Sequence, residues 1–339
     1  MDIIIGAVIG FVLVVSAVVV GPTVKMAVGV APYLYTNTRC SAKSGLLLKR
    51  KTYDSLLAST YVKEVYAELE ETSYSHVVEH ANEFGGASVL LDKDLYETYT
   101  WLEDVMPEKI RPIITAMKMK FEVQQLKEAM NALADNERPG EMQYISNPNT
   151  RLKCEEASDI NSLVTALEGT PYGDLVSGSA PATELDRHYL LSVMDAIDSC
   201  KDQKAAEPFR EYWRRMIDFA NIRVALRRMS EDADLPFVQG GTIRVKKLQN
   251  VGDKNQLVEL LQKTPYTVDV ASAGIKLEQA FLQAISTEGA RSSAKHPLKA
   301  GPVVNFLIQK ELEVRNLNII LKLKAEGFKA DEINDLLVV

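Results

Sequence analysis

Residues 167–176 read Leu-Glu-Gly-Thr-Pro-Tyr-Gly-Asp-Leu-Val, and residues 261–270 read Leu-Gln-Lys-Thr-Pro-Tyr-Thr-Val-Asp-Val. A Thr-Pro-Tyr corner written twice, 94 residues apart and each time after an amphipathic run, constrains the fold more than any other feature of the chain. A degenerate copy, Thr72-Ser73-Tyr74, lies 98 residues before Thr170, with serine in place of proline. The runs that lead into the corners are VKEVYAELEE, INSLVTALEG and NQLVELLQK. Taken singly, such a corner is a generic helix start, with Thr as N-cap and Pro at the first helical position, where its missing amide costs nothing. A second landmark at a matching offset raises it to a repeat. From Tyr74, Tyr172 and Tyr266 to Glu122, Ala220 and Glu313 the distances are 48, 48 and 47 residues, and each endpoint lies in a polar-studded helical run: FEVQQLKEAMNAL, FANIRVALRRM and LEVRNLNIILKL.

The breakers Pro139 and Gly140, then Pro236, Gly240 and Gly241, then Gly327, punctuate the ends of these copies. Within each copy the apolar spacing is helical. Leu307, Ile308, Leu312, Leu317, Ile320, Leu321 and Lys324 follow i, i+3, i+4 and predict one apolar face; GGTIRVKKL is the nearest approach to a strand. The expectation is an all-α protein with helical repeat units at 33–142, 143–238 and 239–339. Three such units joined head to tail form either an arc or a closed ring, and the sequence leaves both open.

Ahead of the repeats, residues 3–24 carry no charge and are apolar almost throughout. About 22 residues at a rise of 1.5 Å cover a hydrocarbon core of roughly 30 Å. A cleaved signal peptide is the rival reading, but the chain starts Met-Asp without a basic n-region. Residues 1–32 are therefore expected to be a hydrophobic anchor that hands over at Pro32. The Gly6 and Gly10 pair is a weak helix-packing signal. Lys25, Arg39, Lys43, Lys49, Arg50 and Lys51 all follow the run, which places the rest of the chain on the cytoplasmic face of the cell membrane. A net charge of -7 argues against a nucleic-acid partner. Cys40, Cys154 and Cys200 are odd in number and far apart, so neither a disulfide framework nor a zinc cluster is indicated.

Catalytic patterns are scarce. There is no Walker-A loop and no G-x-S-x-G. His-Val-Val-Glu-His at 76–80 spells an inverted zinc-protease string, with Glu79 in the place of a general base, yet the corresponding positions after the other two corners carry no histidine. His188 and His296 stand alone. A zinc hydrolase is the least favoured reading, and no catalytic, cofactor-binding or metal-ligating residue is assigned. Arg210, Arg214, Arg215, Arg223, Arg227 and Arg228 gather along the middle repeat. They pair with Glu207, Glu211, Asp218, Glu231 and Asp232, or else face an acidic protein or lipid surface.

The strings NTRCSAKSGLLLKRKTYDSLLAS, YAELEETSY, LVTALEGTPYGDLV and PVVNFLIQKELEVRNLNIILKLKAEGF closely resemble the C subunit of the archaeal A-type ATP synthase. That family includes the central-stalk C subunit of bacterial V-type ATPases and, more distantly, the d subunit of the eukaryotic enzyme; the resemblance runs from about Tyr33 to the C-terminus. It implies three pseudo-threefold-related helical domains forming a funnel. It also implies a non-catalytic rotor part that links the soluble central shaft to the membrane proteolipid ring and transmits torque. Thr170, Pro171, Tyr172, Thr264, Pro265, Tyr266, Arg315 and Asn316 match the family motifs and are assigned to structure first, with Arg315 and Asn316 also able to reach a partner or a buried hydrogen-bond network. The apolar run at 3–24 is read as a departure from the family. The alternative is a membrane-anchored helical-repeat adaptor unrelated to ATP synthesis.

Overall fold

The computed structural model describes residues 29–81, 86–178, 180–231, 235–264, 266 and 275–339. The apolar run at 3–24, Pro265 and Asp232 lie outside them. Every regular element among the described residues is a helix, and the Gly-Gly-Thr-Ile-Arg stretch at 240–244 is a turn that runs into a short helix rather than a strand.

The architecture is built on three long helical hairpins: α5 (Ala87–Val105) with α6 (Arg111–Ala134), α10 (Pro181–Asp198) with α11 (Gln203–Glu231), and α14 (Ile275–Lys295) with α15 (Gly301–Ala325). Short helices precede each one. They are α2 (Arg50–Ala58), α3 (Val62–Glu70) and α4 (Ser75–His80), then α7 (Pro148–Glu155), α8 (Ile160–Ala166) and α9 (Gly173–Val176), then α12 (Val245–Gln249) and α13 (Lys254–Gln262). A last turn, α16 (Ala330–Asn334), closes the chain. Local chemistry starts several of them. Asn147, Asp159 and Asp253 accept amides of the first turn with their side chains, and proline opens α6, α10 and α15. At the α14–α15 turn only glycine fits at 301, because a Cβ there would press on the Ser292 and His296 carbonyls.

Helix α15 departs from the one-faced pattern. Its buried residues run all round, from Val303 and Phe306 through Leu312 and Val314 to Ile320 and Lys324. The reason is its position: α14, α5, α11, α3 and α16 all pack against it, so it is a core helix and not a surface one. The main apolar core surrounds it, and a second one fills the space between the end of α6 and α7–α10, with Leu126, Leu163, Leu167, Val176 and Leu185.

The first described helix, α1 (29–44), turns Tyr33, Thr36, Asn37 and Cys40 inward at i, i+3, i+4, i+7. Within little more than one turn it bonds to all three hairpins. Thr36 donates to the Val105 carbonyl at 2.6 Å, Tyr33 to Asp202 at 2.8 Å, and Asn37 to the carbonyls of Pro297 and Lys299 at 3.1 and 2.9 Å. The three hairpin turns therefore converge at one end of the molecule, and α1 holds them there.

Candidate functional site

The three corners have the same internal geometry. In each, the threonine hydroxyl donates to the leucine carbonyl three residues back at 2.7 Å (Thr72 to Leu69, Thr170 to Leu167, Thr264 to Leu261). The same oxygen accepts the tyrosine amide two residues on, at 3.1 to 3.2 Å. The threonine thus fastens the end of the preceding helix, while Tyr74 and Tyr172 occupy the N-cap positions of α4 and α9. The expectation of a threonine N-cap with proline in the first turn is corrected accordingly. Pro171 precedes the cap, and its fixed φ shapes the turn instead of the helix.

What the corners do becomes visible at the tyrosine hydroxyls. Each donates to a carboxylate at 2.6 Å: Tyr172 to Glu122 of α6, Tyr266 to Asp218 of α11, and Tyr74 to Glu313 of α15. The remaining capacity of each carboxylate takes the chain just ahead of a short helix. Glu122 accepts Ser146 before α7, Asp218 accepts Thr242 and the Ile243 amide before α12, and Glu313 accepts the Leu48 amide before α2. A long helix of one hairpin is joined in this way to the entry turn and corner of the next. The order is cyclic, with α6 serving the second corner, α11 the third, and α15 the first. Three residues beyond each acid an amide repeats the logic: Gln125 binds the Tyr144 amide and Glu141 carbonyl, Asn221 both backbone groups of Val238, and Asn316 both of Val338. Gly241 lies so close to the Asp218 carboxylate that a Cβ would collide with it.

The middle landmark shifts from Ala220 to Asp218, the residue that binds the corner. The signal that marks it in the sequence is an acid followed three places later by an amide: Glu122 and Gln125, Asp218 and Asn221, Glu313 and Asn316, at spacings of 96 and 95 residues. Asn316 belongs to the buried network, whereas Arg315 bonds to Glu278 at 3.2 Å and to the Leu336 carbonyl. Asp218 does not pair with an arginine among the described residues. Arg215 binds Glu288 at 2.8 Å, Arg210 binds Glu207 and Asp198, Arg214 reaches the Gly241 carbonyl, and Arg223 and Arg228 stack on Phe219 and Phe237. The histidine string forms no ligand group. His76 meets Asp94 at 3.3 Å, the His80 ring bonds back to the His76 carbonyl, and among the described residues no three His, Cys, Asp or Glu side chains gather to hold a metal.

The Tyr74 joint carries the most charge. Lys310, three residues before Glu313, donates to the Tyr74 hydroxyl at 2.7 Å and pairs with Asp94 at 2.8 Å and Glu313 at 3.5 Å. Burial pushes the Glu313 carboxyl above its ordinary range, against the opposing pull of Lys310, Tyr74 and the Leu48 amide. Burial and the neighbouring Glu313 charge likewise keep the Tyr74 hydroxyl protonated. Two residues before the three acids stand Lys120, Met216 and Glu311. Lys120 and Glu311 form an ion pair that also takes the hydroxyls of Tyr99 and Tyr212, so α5, α6, α11 and α15 meet at one carboxylate. Burial opposes the Glu311 charge, but Lys120 and the hydrogen bonds outweigh it and hold the carboxyl below its ordinary value. A cavity of about 980 Å³ opens beside this centre, with Asp92, Lys120, Glu311, Arg315 and Asn318 in its wall.

The family described as ATP synthase (C/AC39) subunit matches residues 36–336. The chain belongs to this family. It is similar to the A-type ATP synthase C subunit of Methanocaldococcus jannaschii, 26% identical with 93% of this chain and 88% of the relative covered. For the same protein of Methanobrevibacter smithii the figures are 26%, 96% and 93%, and for that of Thermococcus onnurineus 25%, 90% and 90%. Membership makes the chain a structural part of an ATP synthase and not itself the catalyst. The run at 3–24 lies outside the residues that the family model matches, while the match to the Methanobrevibacter smithii protein over 96% of the chain leaves fewer unmatched residues than that run contains. Among the described residues no helix is long and apolar enough to cross a membrane.

Proposed function

We propose that the chain is the central-stalk socket of an A-type or V-type ATP synthase. It seats the soluble shaft, rests on the membrane proteolipid ring and passes torque between them. The observation that carries this reading is the cyclic order of the tyrosine–carboxylate joints, because a chain whose last long helix fastens its first corner encloses an axis. On that reading residues 33–142, 143–238 and 239–339 are three pseudo-threefold-related units of a funnel on the cytoplasmic face, and residues 1–32 carry the membrane anchor ahead of them. Torque loads such a wall in shear. Resistance then comes from many packed contacts and three charge-assisted bonds, without a single hinge to yield.

The test is affinity purification of the tagged native protein from gently solubilised membranes, followed by quantitative mass spectrometry. Recovery of the catalytic subunits and proteolipid, with this chain at a single copy per complex, is the expected result. Recovery alone or with unrelated proteins would replace the socket with a membrane-anchored adaptor. Retention of the full chain in membranes after alkaline carbonate extraction tests the anchor separately.

A further inference from the structure

We infer that the end of the molecule where the three hairpin turns converge faces the membrane, and that the outer face of α1 docks there on anionic lipid headgroups. The inference rests on the reading of residues 3–24 as membrane-spanning. Its first support is reach. The described chain begins at Gly29, whose carbonyl lies 3.4 Å from the Lys299 ammonium in the α14–α15 turn. Four residues lie between Val24, the last of the apolar run, and Gly29, and the five Cα steps span at most roughly 18 Å of extended chain. The opposite ends of the hairpins are farther away, since a helix of 25 residues such as α15 is about 37 Å long. A short tether can bring only the turn end to the bilayer.

The second support is the chemistry of the face. While α1 buries Tyr33 and Cys40, it presents Leu34 and Tyr35 at 48% and 59% exposure. The Arg39 guanidinium donates to the Tyr35 hydroxyl at 2.7 Å and lies 5.5 Å from the centres of the Tyr35 and Trp101 rings, with the Lys43 ammonium 4.7 Å from Trp101. Neither cation forms an ion pair among the described residues. An exposed tyrosine ring and a half-buried tryptophan beside cations that form no ion pair suit the headgroup layer, where the ring meets the acyl boundary and the cation meets phosphate. Charge placement agrees. Between Asp2 and Asp54 there is no acidic residue but six basic ones, in a chain of net charge -7. Leu298, 43% exposed in the α14–α15 turn, adds an apolar contact at the same end.

The full chain is reconstituted into vesicles of phosphatidylglycerol and phosphatidylcholine that carry a headgroup-attached quencher. Single-site variants Tyr35→Cys, Leu298→Cys and Phe328→Cys are labelled with a fluorophore, the three native cysteines being buried. Labels at 35 and 298 are expected to be quenched several-fold more than the label at 328, which lies beyond the far end of α15. Arg39→Glu with Lys43→Glu, or vesicles of phosphatidylcholine alone, should weaken quenching at 35. Equal or stronger quenching at 328, or none at 35 and 298 in a chain that resists carbonate extraction, overturns the inference while the anchor stands. Release by carbonate removes the anchor, and the inference with it.

Discussion

The joint between Tyr74 and Glu313 and the joint between Tyr172 and Glu122 have the same bond length of 2.6 Å and the same corner, yet they are built differently around it. Glu313 is buried, with Lys310 and Asp94 beside it; Glu122 is half-buried, and Met119 stands where the lysine would be. The first joint brings together residues 239 apart in sequence, the second residues 50 apart. Closing the longer loop costs roughly 1.4 kcal/mol more, at about 0.6 kcal/mol per doubling. The lysine cluster, together with the Lys324 ammonium bonded to the carbonyls of Leu57 and Ser59, gives the longer-range joint polar contacts that the shorter one lacks. The difference teaches that one tyrosine–carboxylate bond is kept in unlike surroundings, buried and charged at the first corner and half-open at the second.

The comparison can be broken most forcefully at Glu313. Glu313→Ala leaves Lys310, the Tyr74 hydroxyl and the Leu48 amide without their acceptor, and should cost about 3–5 kcal/mol in denaturant unfolding. The matching Glu122→Ala should cost less than half of that, since water can reach the site. Next in size is Lys310→Met, which copies the residue found at 119. A loss of roughly 2–3 kcal/mol is expected, much of it recovered by adding Asp94→Asn, because the penalty lies in the stranded carboxylate. Tyr74→Phe and Tyr172→Phe sharpen the contrast at the bond itself, with expected losses of about 2 and about 1 kcal/mol. The smallest effect is in pH. The Glu311 carboxyl, held low chiefly by Lys120 against its burial, gives stability that is present above the unfolded carboxylate value and lost as pH falls through its folded one. Glu311→Gln should therefore flatten the acid limb of the stability curve below about pH 4. Glu313, raised by burial, acts in the opposite direction, and stability declines as pH rises between its unfolded and folded values.

Much of this was legible in the sequence because it is written locally. Apolar spacing marks the helices, and the repeated corner with its fixed offset marks the three tyrosines that bind carboxylates. What was not legible depends on pairing across the chain. Tyr74 and Glu313 are 239 residues apart, and no local pattern says that a corner binds the acid of the preceding hairpin, or that the first corner binds the last. Asp218 reads in the sequence as an arginine partner and not as the corner's acid, because the matching helix string begins one residue after it, although its spacing from Asn221 repeats that of Glu122 from Gln125. The all-round burial of α15 is hidden for a related reason: Lys310, Glu313, Asn316 and Lys324 are polar, but each has its partner inside. Polarity predicts exposure only where no partner waits in the core.

The cyclic order of the joints is tested most directly by double-mutant cycles on Tyr74→Phe and Glu313→Gln in the full chain, with Tyr74→Phe and Glu122→Gln as the mispaired control. The account predicts a coupling energy of about 1 kcal/mol or more for the first pair and none beyond about 0.3 kcal/mol for the control. Additive effects of Tyr74→Phe and Glu313→Gln, or coupling of Tyr74 to Glu122, would contradict it.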